Sequence, residues 1–236
     1  MAQAKSGSSA LSQSKRALEK RELEKRRMEQ ILTILKAQYP DARCSLFFKT
    51  PFQLLIATIL SAQCTDERVN QVTPALFQRF PTAQEMSQAT LQELEVLIQS
   101  TGFFRSKARA LKETSQALMT RFGGEIPVDR QKLVELRGVG RKTANVLLGV
   151  GYGIPAVVVD THVTRLTGRL GFTRSKNAVQ IEHQLMEVVA QQDWSLYALL
   201  MIDHGRKICT ARVARCELCV LKELCPKKID RSRSPA

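Results

Sequence analysis

The sequence predicts an all-α protein built of about ten short helices. Three observations carry that prediction. Helix-start signals recur at short spacing along the chain. The pair Gly123-Gly124 gives a clear helix stop. The one strand-like run, Ala156-Val157-Val158-Val159, is four residues long and makes a poor strand.

The elements follow in order. The first 14 residues are rich in Ser, Ala and Gln with no apolar period, so an unstructured tail is expected there. From Lys15 to Arg27 the chain is polar nearly all round, with high helix propensity and little to bury. Residues 1–27 therefore read as a basic extension, disordered or fraying into a solvated helix, which gains an apolar face only from Met28 through Leu35. A transit peptide is disfavoured because acidic residues interrupt the basic ones. Thr50-Pro51 and Thr73-Pro74 each place a cap before a proline at a first helical position. Thr65, Thr90, Ser106 and Asp129 offer further caps, and a helix starting near Lys107 ends at Gly123-Gly124.

At 236 residues the chain can bury one good core, or two small ones sharing a cleft. Lys plus Arg exceeds Asp plus Glu by 36 − 22 = 14. Such an excess suits a polyanionic partner, because each phosphate contact releases counterions. An acidic membrane is the alternative, but no long apolar span or basic amphipathic anchor with aromatics is present.

Residues 136–144 read Leu-Arg-Gly-Val-Gly-Arg-Lys-Thr-Ala, and eighteen positions after Lys142 an aspartate, Asp160, ends an apolar run. Two glycines one residue apart permit a tight hairpin with outward-facing N–H groups. The helix expected from about Arg141 to Leu148 adds its own unpaired N-terminal donors, a surface suited to a phosphate oxygen. Lys142 sits in that first turn, and a phosphate grip beside an amine suggests chemistry on nucleic acid. A plain turn is the simpler reading of Gly-Val-Gly. A nucleotide P-loop needs glycine immediately before the Lys-Thr pair, where this chain has Arg141.

Cys209, Cys216, Cys219 and Cys225 are separated by six, two and five residues within the last 28 positions. Four thiolates in so short a segment can converge on one centre, either an iron–sulfur cluster or tetrahedral zinc, and the spacing alone leaves both open. Disulfides are disfavoured in a chain with no secretory signal, where Cys44 and Cys64 read as ordinary interior thiols. Of the three histidines none lies at ligand spacing to another, so His162 and His204 read as structural or phosphate-bonding groups.

Taken in order, these features resemble the endonuclease III family of DNA-repair glycosylases. The resemblance rests on Leu136 to Ala144, on Val159-Asp160-Thr161-His162, and on the cysteine spacing. The segments Leu60-Ser61-Ala62-Gln63-Cys64-Thr65-Asp66 and Gly102-Phe103-Phe104-Arg105-Ser106-Lys107-Ala108 add to it, so that it spans about residues 28–226. It implies a two-domain helix–hairpin–helix DNA glycosylase architecture. A six-helix barrel would occupy 44–154, with the helix–hairpin–helix at its end. An iron–sulfur cluster domain would combine 28–43 with 155–226, leaving 227–236 as a basic tail.

The resemblance also implies roles. Lys142 would be the nucleophile that forms a Schiff base, and Asp160 would accept its proton or offset charge on the sugar; a helix cap is a compatible role for Asp160. Gln63 and Phe103 would insert into the duplex, with Phe103 standing where the family usually has leucine. A core position for Phe103, with Phe104 outward, is the alternative. Arg137, Gly138, Val139, Gly140, Arg141 and Thr143 would contact the DNA backbone, Arg137 standing where proline is usual. Cys209, Cys216, Cys219 and Cys225 would hold a [4Fe-4S] cluster. The expected protein is a monomeric bifunctional glycosylase and AP lyase of the bacterial cytosol and nucleoid. It would act on oxidised pyrimidines in damaged double-stranded DNA, with no membrane partner. A non-catalytic DNA-binding module with a structural metal, or a monofunctional adenine-type glycosylase, is the alternative; Lys142 speaks against the second.

Overall fold

The computed structural model describes residues 6–228, with side chains over 15–228. Among the described residues there are eleven α-helices and no strand, as the sequence predicts. The nearest thing to a strand pair is an isolated antiparallel bridge between Cys209 and Ala214. No described helix is long and apolar enough to cross a membrane. The chain divides into two compact units, Arg43–Ala156 and the segments Met1–Ala42 with Val157–Ala236.

The Arg43–Ala156 unit contains seven helices. They are α2 (Pro51–Leu60), α3 (Asp66–Arg79), α4 (Ala83–Gln88), α5 (Leu91–Ile98), α6 (Phe104–Phe122), α7 (Arg130–Val134) and α8 (Arg141–Val146). Helix α2 is apolar almost all round and accordingly central, packed against α3, α6 and α8. Its start is set by Thr50, whose hydroxyl accepts from the Gln53 N–H at 3.2 Å, with Pro51 in the first turn. Thr65 and Asp129 cap α3 and α7 in the same way. Thr90 and Glu93 form a reciprocal capping box on α5.

Two expected starts lie elsewhere. Pro74 is inside α3, because Thr65 has already started that helix and a proline there forgoes a single bond. Ser106 lies within α6, which begins at Phe104 after a left-handed Phe103 rather than at a hydroxyl cap. The C-terminus of α6 is as expected, with Gly123 left-handed at φ 63°.

The other unit contains α1 (Ser6–Gln38), α9 (Thr161–Arg169), α10 (Ala178–Val188) and α11 (Trp194–Lys207), followed by the cysteine loop. Met28, Ile31, Leu32 and Leu35 form the expected apolar face of α1 and are buried, packed with α10 and α11. The extension is more ordered than expected. Residues 6–14 are helical and 15–27 continue the same helix, while 1–5 and 229–236 fall outside the described residues, and with them most of the basic tail. The residues over 10–27 are good helix formers with no proline to stop them, and the helix is anchored by Arg27.

Arg27 donates to the carbonyls of Leu170 at 2.9 Å and Leu224 at 3.2 Å, and its guanidinium lies 4.1 Å from the centroid of the Phe172 ring. This one side chain ties α1 to the end of α9 and to the cysteine loop. Replacing it by methionine should destabilise the protein by about 2 kcal/mol, the worth of charge-assisted bonds to carbonyls left without a donor. Thermal unfolding should show the midpoint falling by about 5 °C. Arg26→Met, at the exposed neighbouring position, should stay within about 0.5 kcal/mol of the parent.

Candidate active site and metal centre

The hairpin begins at Leu136, which is buried, and turns through a Val139 N–H bond to the Leu136 carbonyl of 3.1 Å. Its two glycines do different work. Gly138 has φ +77°, and a Cβ there would lie 3.3 Å from Ala110 Cβ and 3.4 Å from Ile59 Cγ2. It is glycine both for its backbone and for close approach to α6 and α2. Gly140 has an ordinary φ of −91°, and nothing of the chain lies within 4 Å of a Cβ built there. Open space at this glycine leaves room for a group from outside.

Lys142 is exposed in the first turn of α8, and Arg141 and Thr143 beside it are half-buried. The Val139 side chain is buried in the core, so this residue offers its backbone alone to a ligand. Arg137 is exposed and paired: its Nη1 lies 2.6 and 2.8 Å from the Glu113 carboxylate oxygens, and its carbonyl accepts from Thr114 Oγ1 at 2.7 Å. Helix α8 is shorter than expected. It gives way after Val146 to a π-helical segment, Leu147–Gly151, whose Gly151 backbone packs against Leu54 where a Cβ would be 3.3 Å away.

Gln63 and Phe103 both adopt left-handed backbone, at φ 52° and 48°, and both side chains are exposed. Among the described residues Lys227 is the one other non-glycine with positive φ. Such conformations are uncommon and gather at functional sites. Phe103 is 68% exposed while Phe104 packs on the core, which removes the reading of Phe103 as a core aromatic. Burial pushes the Cys44 thiol of this unit up.

In the other unit, Asp160 caps α9: its Oδ1 accepts from the Val163 N–H at 2.8 Å. Its Oδ2 lies 3.5 Å from His162 Nδ1, and the carboxylate is mostly shielded, with 12% of the side chain exposed. Lys142 and Asp160 thus belong to different units. Helices α9 and α11 meet at Gly205, where a Cβ would come within 2.8 Å of both Arg165 Nη2 and His162 Cδ2. Arg165 donates to the carbonyls of Gly205 and Cys209.

Cys209, Cys216, Cys219 and Cys225 are half-buried, without disulfides, and line one cavity together with Leu166, Ile208 and Leu221. Among the described residues no three metal-ligating side chains are drawn together at single-ion spacing. Nitrogen groups reach the sulfurs instead. Arg169 Nη1 lies 3.1 Å from Cys209 Sγ, the Lys227 N–H 3.4 Å from Cys225 Sγ, and His204 Nε2 3.4 Å from Cys219 Sγ. Such contacts are what the outer shell of a thiolate-ligated metal supplies. Burial pushes the Cys219 and Cys225 thiols up, so thiolates here need a metal's charge to offset it. The donor set fits a metal group. His204 itself is buried, which pulls it down to about 4, and its Nδ1 lies 3.0 Å from the Tyr39 hydroxyl. That Arg27, Arg165 and Arg169 serve the cysteine loop was missed at the level of sequence. The one available signal was the Arg165/Arg169 spacing on a single helix face.

A family model described as "HhH-GPD superfamily base excision DNA repair protein" matches residues 56–191. The chain is 52% identical over 198 residues to the endonuclease III of Synechocystis sp., covering 84% of this chain and 90% of that one. It is 45% identical over 188 residues to the endonuclease III of Bacillus subtilis, covering 79% and 86%. A solved structure of a trapped endonuclease III–DNA covalent intermediate, an estranged-adenine complex, is similar with a TM-score of 0.81 at 42% identity. It covers 86% of this chain and 96% of that chain.

The glycines give a paired prediction. Gly138→Ala combines a strained φ with a crowded Cβ and should lower stability in urea unfolding by about 1–3 kcal/mol. Gly140→Ala should remain within about 1 kcal/mol of the parent.

Proposed function

The chain belongs to the endonuclease III family, and from that membership we propose that it excises oxidised pyrimidines from damaged duplex DNA and cuts the strand through a Schiff base on Lys142. The observation that carries this is the exposed Lys142 amine in the first turn after a hairpin whose Gly140 faces open space. Outward N–H groups at such a turn suit a phosphate, which would seat the sugar beside the amine.

Neutral Lys142 Nζ attacks C1′ of the flipped nucleotide, and the glycosidic bond breaks as the base leaves with its electron pair and takes up a proton. The nitrogen loses a proton and the C1′–O4′ bond opens, giving a protonated Schiff base. Removal of a C2′ proton sends electrons toward the iminium and breaks the C3′–O bond, releasing the 3′ phosphate. Water hydrolyses the imine and frees the lysine. We assign Asp160 to proton acceptance from Lys142 and to offsetting positive charge on the sugar. The Val163 N–H bond to Oδ1 fixes its carboxylate and supports that role. Gln63 and Phe103 would fill the space left in the duplex, one polar and one apolar; their exposure on strained backbone supports this.

We further propose that Cys209, Cys216, Cys219 and Cys225 hold a [4Fe-4S] cluster, supported by the shared cavity and the nitrogen contacts to sulfur. When bound, the cluster supplies folding energy to a loop with little regular structure, and none of the steps above is assigned to it. We further propose that the protein acts as a monomer, and its bacterial relatives support a place in the bacterial cytosol beside the chromosome.

Borohydride trapping on a duplex with one thymine glycol tests the chemistry. Wild type should give a covalent protein–DNA band, Lys142→Ala none, and Asp160→Asn a rate lower by about a hundredfold with binding retained. Binding without any band or strand cleavage in the wild type would reduce the protein to a DNA-binding module. The cluster has its own readout. Purified protein should be yellow-brown, with iron and acid-labile sulfide in equal amounts, and Cys216→Ser should lose colour and unfold at lower temperature. A colourless protein carrying zinc would refute the cluster assignment.

A further inference from the structure

One buried cation is left unused by this mechanism. Lys107, in the first turn of α6, is 6% exposed, and an ammonium out of water requires a hydrogen-bond partner. Its Nζ donates to the Thr101 carbonyl at 2.8 Å, while its own backbone N–H donates to the Phe103 carbonyl at 3.0 Å. The same residue therefore fastens the chain on both sides of Gly102. That step does not hold itself. Gly102, at φ 71° and ψ 156°, lies where glycine alone is comfortable, and Phe103 is left-handed with no side-chain cap bond. Thr101 is itself buried and anchored by its hydroxyl to the Ile98 carbonyl at 2.8 Å, so Lys107 grips a fixed point.

We propose that Lys107 is a positioning residue for insertion: by fastening the chain on both sides of Gly102 it holds the left-handed Phe103 so that its side chain enters the duplex in a fixed geometry. The inference rests on the reading of Gln63 and Phe103 as the inserting pair. The test is a mutant cycle in the full-length protein with Phe103→Ala, Lys107→Met and the double variant. It reads single-turnover rate at saturating thymine-glycol duplex, and 2-aminopurine fluorescence opposite an abasic analogue. If Lys107→Met does not fold by circular dichroism, Lys107→Gln, which keeps an N–H donor, takes its place in the same cycle.

Phe103→Ala should lose about tenfold in rate and Lys107→Met about fivefold, with the 2-aminopurine signal reduced in both; the double variant should stay within about twofold of Phe103→Ala, since coupled residues are not additive. Losses that multiply in the double variant, or an unchanged Lys107→Met rate and signal, would overturn the positioning role while leaving the inserting pair intact. An unchanged Phe103→Ala would instead remove the insertion reading itself, and the proposal with it.

Discussion

The Arg43–Ala156 unit is arranged by the burial of one short helix. Eight of the ten residues of α2 are buried, so its rotation and depth are fixed by packing rather than by any one contact. Three site elements take their position from it. Ile59 sets how closely Gly138 and the hairpin approach, and Leu54 sets the place of Gly151 in the π-helical segment after Lys142. Its C-terminus, closed by the Ser61 N–H bond to Ala57, delivers the turn that carries Gln63. A core mutation in α2 therefore reaches the hairpin and the turn of Gln63 together, although neither is a neighbour of the other in sequence.

The second unit solves a different problem. Its cysteine segment has little regular structure, and carbonyls outside helices still require donors. Arginines supply them. Arg165 and Arg169 reach the carbonyls of Gly205, Cys209, Thr210 and Ala211, and Arg27 reaches those of Leu170 and Leu224. One of them also reaches a sulfur, Arg169 Nη1 lying 3.1 Å from Cys209 Sγ. The same helix face thus orders the loop and touches one of its thiols. Part of the chain's large positive charge is consequently spent on internal structure and is not available to a polyanion.

What the sequence made legible was local. Caps at Thr50, Thr65, Thr90 and Asp129 are statements about three or four residues, and the structure bears them out. Pro74 was misread because the signal of a cap before proline is identical in a helix interior; only the earlier start at Thr65 distinguishes them. Arg27 was hidden in a run of charges because its partners lie 143 and 197 residues away. The choice between Phe103 and Phe104 was likewise closed to sequence. It is decided by a left-handed φ, and phenylalanine carries no composition signal for that conformation. Tertiary contact, not propensity, settled each of these.

Arg137 brings the two levels together. A proline at this position stiffens a hairpin from within by fixing its own φ, and acts on the unfolded chain as much as the folded one. Arginine cannot do that, and here the rigidity comes from outside. Ala110, Glu113 and Thr114, on one face of α6, meet Gly138, the Arg137 guanidinium and the Arg137 carbonyl in turn. The Thr114 bond is to backbone and buried at its donor end, so it persists whichever way the guanidinium points. The Glu113 pair is about half exposed on both partners, and such pairs are worth at most about 1 kcal/mol. A phosphate oxygen brought close to the hairpin would compete with Glu113 at little cost, while the backbone bond keeps the turn in place. The hairpin is therefore held by its neutral contact, and its charged one remains exchangeable.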